Sequence, residues 1–111
     1  MNSSNPIQVT RPAHSPTEVF KALGNESRVT IVRRLLNDEQ CVCDLVEAVG
    51  LSWSTVSRHL SVLREAGIVA HEKRGTQVFY HLAMPCVGRF ISCLDNPSEF
   101  PELIVDNNDR Y

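Results

Sequence analysis

The sequence of 111 residues has no long apolar run and no recognisable targeting segment. No stretch approaches the ~18 consecutive apolar residues of a membrane helix, and residues 1–16 lack the basic and apolar regions of a secretory signal. Glycine and proline are few, at 5 and 6 residues, which excludes collagen-like and low-complexity chains. We therefore expect one globular domain in the cytoplasm, with no membrane partner.

Cysteine is present four times, but without an export signal. A chain of this length can fold without covalent cross-links, and the cytoplasm keeps thiols reduced. We expect the four thiols to be reduced and to serve metal binding, redox chemistry or packing, rather than a disulfide framework.

Net positive charge is also lacking, since the formal charge is −2, but the distribution is uneven. Residues 52–82 carry +2 and residues 83–94 carry +1, whereas residues 95–111 carry −4. The acidic excess is thus mostly in the C-terminal tail, and the basic middle of the chain is the part expected to face an anionic partner.

Capping signals and apolar periodicity predict five helices and one hairpin. Ser15, with Pro16 and Glu18, forms a capping box, and Gly24 ends the first helix. Apolar residues at helical spacing predict further helices from Asn25 to about residue 37, through residues 42–49, from a cap at Ser52 to residues 65–67, and from residues 84–85 to residue 95. Two strands, residues 68–73 and 77–82, flank a basic turn at residues 74–76.

These elements predict an α+β fold, mostly α, in which a helix-turn-helix is followed by a β-hairpin wing of two strands. Residues 1–14 are predicted to be a flexible arm, residues 15–95 the domain, and residues 96–111 an acidic tail. The apolar residues Leu103, Ile104 and Val105 in that tail either dock on the domain or remain loose.

Four segments resemble the ArsR/SmtB family of winged-helix repressors. They are residues 19–28, VFKALGNESR; residues 41–45, CVCDL, with residues 54–60, STVSRHL; and residues 75–80, GTQVFY. The resemblance covers about two thirds of the chain. It implies a homodimer, joined through terminal helices, that represses transcription from a palindromic operator and leaves the DNA when an inducer binds.

The fourth helix and the hairpin carry the predicted DNA contacts. Short hydroxyl side chains near a helix N-terminus let the backbone approach DNA, so that an arginine can reach a guanine edge or a phosphate. Lysine and arginine at the hairpin turn suit the backbone or the minor groove. The candidates are Ser54, Thr55, Ser57, Arg58, His59, Lys73 and Arg74. His59 either contacts DNA or forms a hydrogen bond inside the domain. Trp53 either flanks the groove or packs at the turn, and packing is expected.

The cysteines are the candidate metal ligands. At 100° per residue, Cys41 and Cys43 fall on opposite flanks of the third helix, about 90° to 110° from its apolar stripe, and neither is a core position. Cys86 and Cys93 share one helix flank but are about 10 Å apart along the axis, so one ion cannot readily touch both. The resemblance implies that Cys41 and Cys43 bind As(III) or Sb(III), with Cd(II), Pb(II) or Zn(II) as other candidates. Since Val46 stands where such sensors often have another cysteine, the third sulfur must come from Cys86 or Cys93 of the same or the other subunit.

Two alternatives remain open at this stage. The same repressor fold could sense thiol oxidation or a persulfide, which requires Cα atoms of the reacting pair within about 7 Å. The second alternative is a thiol oxidoreductase built on Cys41 and Cys43. The chain lacks the βαβ setting and the Cys-x-x-Cys spacing of such enzymes, so we expect it not to be an enzyme.

Overall fold

The computed structural model describes residues 14–99, which form five α-helices and a small antiparallel sheet. The elements, in chain order, are α1 (Pro16–Leu23), α2 (Glu26–Arg34), β1 (Gln40–Cys41), α3 (Val42–Val49), α4 (Trp53–Glu65), β2 (Val69–Arg74), β3 (Gln77–Leu82), α5 (Pro85–Asp95) and a 3₁₀ turn (Pro97–Glu99). The predicted arm, except His14, and the predicted tail beyond Glu99 lie outside the described residues.

The predicted helix starts are confirmed by their caps. The side chains of Ser15, Asn25 and Ser52 each accept a hydrogen bond from a backbone N–H of the first helical turn, at 3.1 to 3.2 Å. Gly50 ends α3 in the left-handed region, with φ of 76°, and its N–H donates to Val46 O. Helix α2 stops at Arg34, earlier than predicted, because its last turn tightens: the N–H of Leu35, its C-cap, also donates to Val32 O, and the N–H of Leu36 donates to Arg33 O.

The hairpin is confirmed, but the sheet has a third strand that was not predicted. Strands β2 and β3 pair through a turn of two residues, in which Gly75 takes φ of 64°. The short strand β1 pairs with the other edge of β3, so the sheet order is β1, β3, β2. The link from α2 to α3 is therefore fastened to the wing.

The core lies between the helices and the base of the wing. Its fully buried side chains come from α2, α3, α4 and the start of the hairpin: Ile31, Val32, Leu45, Val56, Leu60, Leu63 and Ile68. Helix α3 packs on both α2 and α4, and α5 packs on α2. None of the helices described in residues 14–99 has the length and apolar character needed to cross a bilayer.

Candidate nucleic-acid interface and thiol site

The N-terminus of α4 is organised around Ser52. Its hydroxyl accepts a hydrogen bond from the N–H of Thr55 at 3.2 Å and donates to Thr55 Oγ1 at 2.9 Å. Thr55 is half-buried, while Ser54 is exposed. Of these two predicted DNA contacts, Thr55 has two hydrogen bonds within the cap, whereas Ser54 lies on the surface with its Oγ 3.3 Å from Ser52 Oγ.

The exposed face of α4 carries Ser54, Ser57 and Arg58. These positions are spaced i, i+3 and i+4, so they lie side by side on one face of the helix. Arg58 makes no ion pair with any residue between 14 and 99. The structure thus brings together two surface hydroxyls and one guanidinium, and the donors of Arg58 remain available to an external anion.

His59 lies on a different side of α4, where it is half-buried against α2. Its Nδ1 is 3.2 Å from Arg28 Nη1, and Arg28 Nε donates to the carbonyl of Ala22. Burial, followed by the charges of Arg28 and Arg58, lowers the pKa of His59. A neutral imidazole that accepts from Arg28 fits these contacts, so the structure shows the hydrogen bond inside the domain that was one of the two interpretations.

The two basic residues of the wing differ in their surroundings. Lys73 is exposed. The guanidinium of Arg74 instead binds both carboxylate oxygens of Glu39, at 2.6 and 2.8 Å, and reaches Glu72 at 3.1 Å. It also lies over the ring of Phe79, with 4.7 Å to the centroid. The carboxylates raise the pKa of Arg74, and this salt bridge was not foreseen because Glu39 is distant in sequence.

Cys41 and Cys43 lie closer together than the helical projection indicated. Cys41 precedes α3 as its N-cap in an extended conformation, and its Sγ accepts from the N–H of Asp44 at 3.4 Å. The structure joins its sulfur to that of Cys43 in a disulfide, with 5.4 Å between the Cα atoms. The expectation of opposite flanks is therefore wrong, because the 100° rule does not apply to a residue outside the helix.

Two further expectations about these cysteines are also corrected. Cys41 is 6% exposed and counts among the buried apolar residues, so it is a core position, whereas Cys43 is exposed. The expectation of four reduced thiols fails for this pair, since local backbone geometry places the two sulfurs at bonding distance. Cys86 and Cys93 are free thiols, as expected.

Asp44 completes a group of possible metal ligands that sequence reasoning did not single out. Ligand atoms of Cys41, Cys43 and Asp44 lie within 4.8 Å of one another. A cleft of about 160 Å³ adjoins the two cysteines, between the start of α4 and the wing, and its wall includes Trp53 and Val78. Trp53 is 58% exposed, so the expectation that it packs at the turn is wrong, and it lies beside the sulfur pair instead.

Cys86 and Cys93 lie apart from this group. Cys86 is exposed at the start of α5 and lines an apolar cleft of about 300 Å³ between α1 and α5, while Cys93 is half-buried further along α5. Within residues 14–99, neither belongs to the cluster formed by Cys41, Cys43 and Asp44. A single chain therefore brings two of the four predicted sulfur ligands together, but not a third.

Helices α1 and α5 share an exposed apolar face. Phe20, Phe90 and Leu94 are 59%, 45% and 63% exposed. The rings of Phe20 and Phe90 meet edge to face, with their centroids 6.1 Å apart. Large apolar side chains clustered on a surface are typical of a protein contact.

Residues 25–71 match the family model described as bacterial regulatory protein, arsR family. The chain is 37% identical to an uncharacterised HTH-type transcriptional regulator of Methanocaldococcus jannaschii, over 70% of this chain and 89% of the relative. The chain belongs to the arsR family. It is also 44% identical to the arsenical resistance operon repressor of Escherichia coli K12, over 61% of this chain and 59% of that repressor, so it spans little more than half of that relative's length.

Two solved structures share the fold of this arsR-family protein. HlyU from Vibrio cholerae superposes with a TM-score of 0.69 at 36% identity, covering 72% of this chain and 87% of HlyU. A homodimeric winged helix-turn-helix domain from Mycobacterium bovis, described as a possible ArsR-family regulator, gives a TM-score of 0.67 at 29% identity, covering 75% of this chain and 77% of that one. The predicted resemblance and the winged-helix fold are confirmed, and the family assignment makes the chain a DNA-binding regulator, not an enzyme.

Proposed function

We propose that this arsR-family protein is a homodimeric repressor that leaves its operator when Cys41 and Cys43 bind As(III) or Sb(III). The observation that carries this proposal is the position of the sulfur pair. Both cysteines lie at the start of α3. This helix packs against α4, which carries most of the predicted DNA contacts and is called the recognition helix below. The strand that contains Cys41 pairs with the wing. An ion bound at this point would lie on elements that pack against both parts of the predicted DNA interface.

The DNA-binding part of the proposal rests on the exposed face of α4. Ser54, Ser57 and Arg58 present hydroxyl and guanidinium donors in the arrangement that suits phosphate oxygens and a guanine edge. Lys73, exposed on the wing, supplies a second positive charge. Repression is supported by the E. coli relative, whose name describes an operon repressor.

The sulfur pair is suited to soft ions. Two thiolates bind As(III), Sb(III), Cd(II) or Pb(II) in preference to hard cations, and Zn(II) accepts the same ligands. The sulfurs must be reduced to bind, which is the state that the cytoplasm maintains. A third sulfur, where the ion takes one, comes from Cys86 or Cys93 of the second subunit, since these residues lie outside the cluster within one chain.

Dimerisation through α1 and α5 follows from their shared apolar face. A second copy of the same face would cover Phe20, Phe90 and Leu94, whose exposed area is unfavourable in water. The homodimeric state of the M. bovis domain supports this arrangement. Sedimentation of the purified chain tests it, and the substitution Phe90→Asp is expected to shift the dimer toward monomer.

Only a modest coupling is needed between the ion and the DNA. Weakening operator binding by about 100-fold requires about 2.7 kcal/mol of coupling free energy. Because α3 packs on α4, a change in the position of Cys41 and Cys43 would alter the angle at which α4 enters the groove. Ion and operator would then favour different arrangements of the same helices.

Arsenite titration of the reduced protein on fluorescent operator DNA tests the proposal. We expect release of the native protein, and no release of Cys41→Ser or Cys43→Ser, with Cys86→Ser and Cys93→Ser showing which α5 sulfur supplies the third ligand. Trp53 is the single tryptophan and lines the cleft beside the pair, so its fluorescence should report ion binding without DNA. Full release of Cys43→Ser by arsenite would refute the site.

A second function is favoured by the disulfide itself. The 5.4 Å between the Cα atoms of Cys41 and Cys43 meets the requirement for a reacting pair. Peroxide would oxidise the two thiols to one disulfide and be reduced to two molecules of water. Release from DNA by peroxide in the absence of any metal, retained in Cys86→Ser/Cys93→Ser and lost in Cys43→Ser, would support oxidation sensing.

A further inference from the structure

Glu39 and Arg74 form a salt bridge that joins two distant parts of the chain. Glu39 directly precedes strand β1, and Arg74 is the last residue of β2, at the tip of the wing. Two hydrogen bonds, of 2.6 and 2.8 Å, connect both carboxylate oxygens to both terminal nitrogens of the guanidinium. Such paired contacts fix orientation as well as distance.

The salt bridge closes a ring of contacts around Cys41. Cys41 pairs with Phe79 in the register of β1 and β3, and the guanidinium of Arg74 lies over the ring of Phe79. Arg74 then binds Glu39, which lies two residues before Cys41. The candidate inducer ligand and the wing tip are thus connected twice, once through the backbone of the sheet and once through side chains.

We propose that the Glu39–Arg74 pair transmits the state of the Cys41–Cys43 site to the wing, so that Glu39 is a positioning residue for operator release. This inference rests on the proposed function, because it needs an inducer at the sulfur pair. Strand β1 has only two residues, and its pairing with β3 alone is a short connection. The salt bridge holds the wing tip to that strand, so that a shift of Cys41 on binding an ion moves Arg74 and the hairpin turn.

The Glu39–Arg74 salt bridge is better suited to transmit a structural change to the wing than to stabilise the fold. Both side chains are partly exposed, and exposed ion pairs contribute little to the free energy of unfolding. Loss of the pair should therefore leave the fold intact. Glu39 is also not among the predicted DNA contacts or the candidate metal ligands. Its substitution therefore tests transmission between the two sites without removing a group that contacts DNA or the ion.

The experiment measures the release ratio, which is the operator affinity without arsenite divided by the affinity with saturating arsenite. In Glu39→Gln we expect this ratio to fall at least about fivefold, the lower end of ordinary allosteric coupling. Any change in basal operator affinity that comes from freeing Arg74 divides out of the ratio. Glu72→Gln is the matched control: it removes the same charge and another partner of Arg74, but Glu72 lies within the wing. Its release ratio should equal that of the native protein.

A double-mutant cycle shows whether Glu39 acts through Arg74. If it does, Arg74→Gln and the double variant Glu39→Gln/Arg74→Gln should have the same release ratio as Glu39→Gln alone. Arsenite binding, followed by Trp53 fluorescence, should be unchanged in Glu39→Gln, which separates lost transmission from lost ligation.

The possible failures are distinguishable. A native release ratio in Glu39→Gln, or equal losses in Glu39→Gln and Glu72→Gln, would overturn the inference and leave the proposed function standing. A native protein that arsenite does not release would overturn both. Additive effects in the cycle would also reject the inference, because they would mean that Glu39 and Arg74 act separately.

Discussion

The recognition helix and the wing were both predicted to contact DNA, yet the structure organises their cations in opposite ways. On α4, Arg58 is exposed and forms no ion pair within residues 14–99. On the wing, Arg74 is held by Glu39, Glu72 and the ring of Phe79. The two arginines carry the same charge, but only Arg58 has donors ready for an external anion.

This difference shows that counting charges along a sequence does not give the charges available to a partner. Releasing Arg74 would cost its contacts with two carboxylates before any phosphate contact is gained. Arg58 and Lys73 form no ion pair within residues 14–99, so they have no such cost. The comparison therefore predicts that substitution of Arg58 weakens operator binding most, followed by Lys73 and then Arg74.

The largest effect is expected from Arg58→Ala. Loss of an arginine that reads a base costs about 1 to 3 kcal/mol, so operator affinity should fall by about 5-fold to 150-fold. Fluorescence anisotropy with the operator and with a scrambled duplex, at one salt concentration, measures this. Equal losses on both duplexes would show that Arg58 contacts phosphate and reads no base.

A smaller effect separates Lys73 from Arg74. Lys73→Ala should weaken all duplexes alike and reduce the slope of log affinity against log salt by about 1, as expected for one lost phosphate contact. Arg74→Ala should change the slope less, because two carboxylates already neutralise its charge. A larger slope change for Arg74→Ala would contradict the ranking and place Arg74 on the DNA.

The smallest effect concerns His59, on the side of α4 that faces α2. Its pKa in the folded protein is below the ordinary 6.5, so the unfolded chain binds more protons as the pH falls through that value. The free energy of unfolding should therefore decrease from pH 7 toward pH 5. In His59→Asn this decrease should be weaker, as measured by urea unfolding at several pH values, and an identical decrease would reject the neutral imidazole.

Local chemistry made most of the fold predictable. Ser15, Asn25 and Ser52 each accept a backbone hydrogen bond from within three residues, so the helix starts could be read from short segments. The same holds for the wing, where Gly75 provides the positive φ that the turn requires. Such signals need no knowledge of the rest of the chain.

Contacts between distant residues could not be predicted in the same way. Strand β1 exists because Gln40 and Cys41 pair with Tyr80 and Phe79, and two residues carry no strand pattern of their own. Glu39 meets Arg74 across a separation of 35 residues for the same reason. The relation of Cys41 to Cys43 was also missed, since it depends on where α3 begins, and helix ends are uncertain by a residue or two.

The cap at the start of α3 has a practical consequence for replacing the sulfur of Cys41. Serine is among the preferred N-cap residues, and its oxygen can accept the hydrogen bond that Cys41 Sγ now accepts from Asp44. Cys41→Ser therefore removes a soft ligand while supplying a better helix start. In the reduced protein, serine at this position should therefore preserve the start of α3, so a failure of arsenite to release this variant would reflect the lost sulfur rather than a disrupted helix.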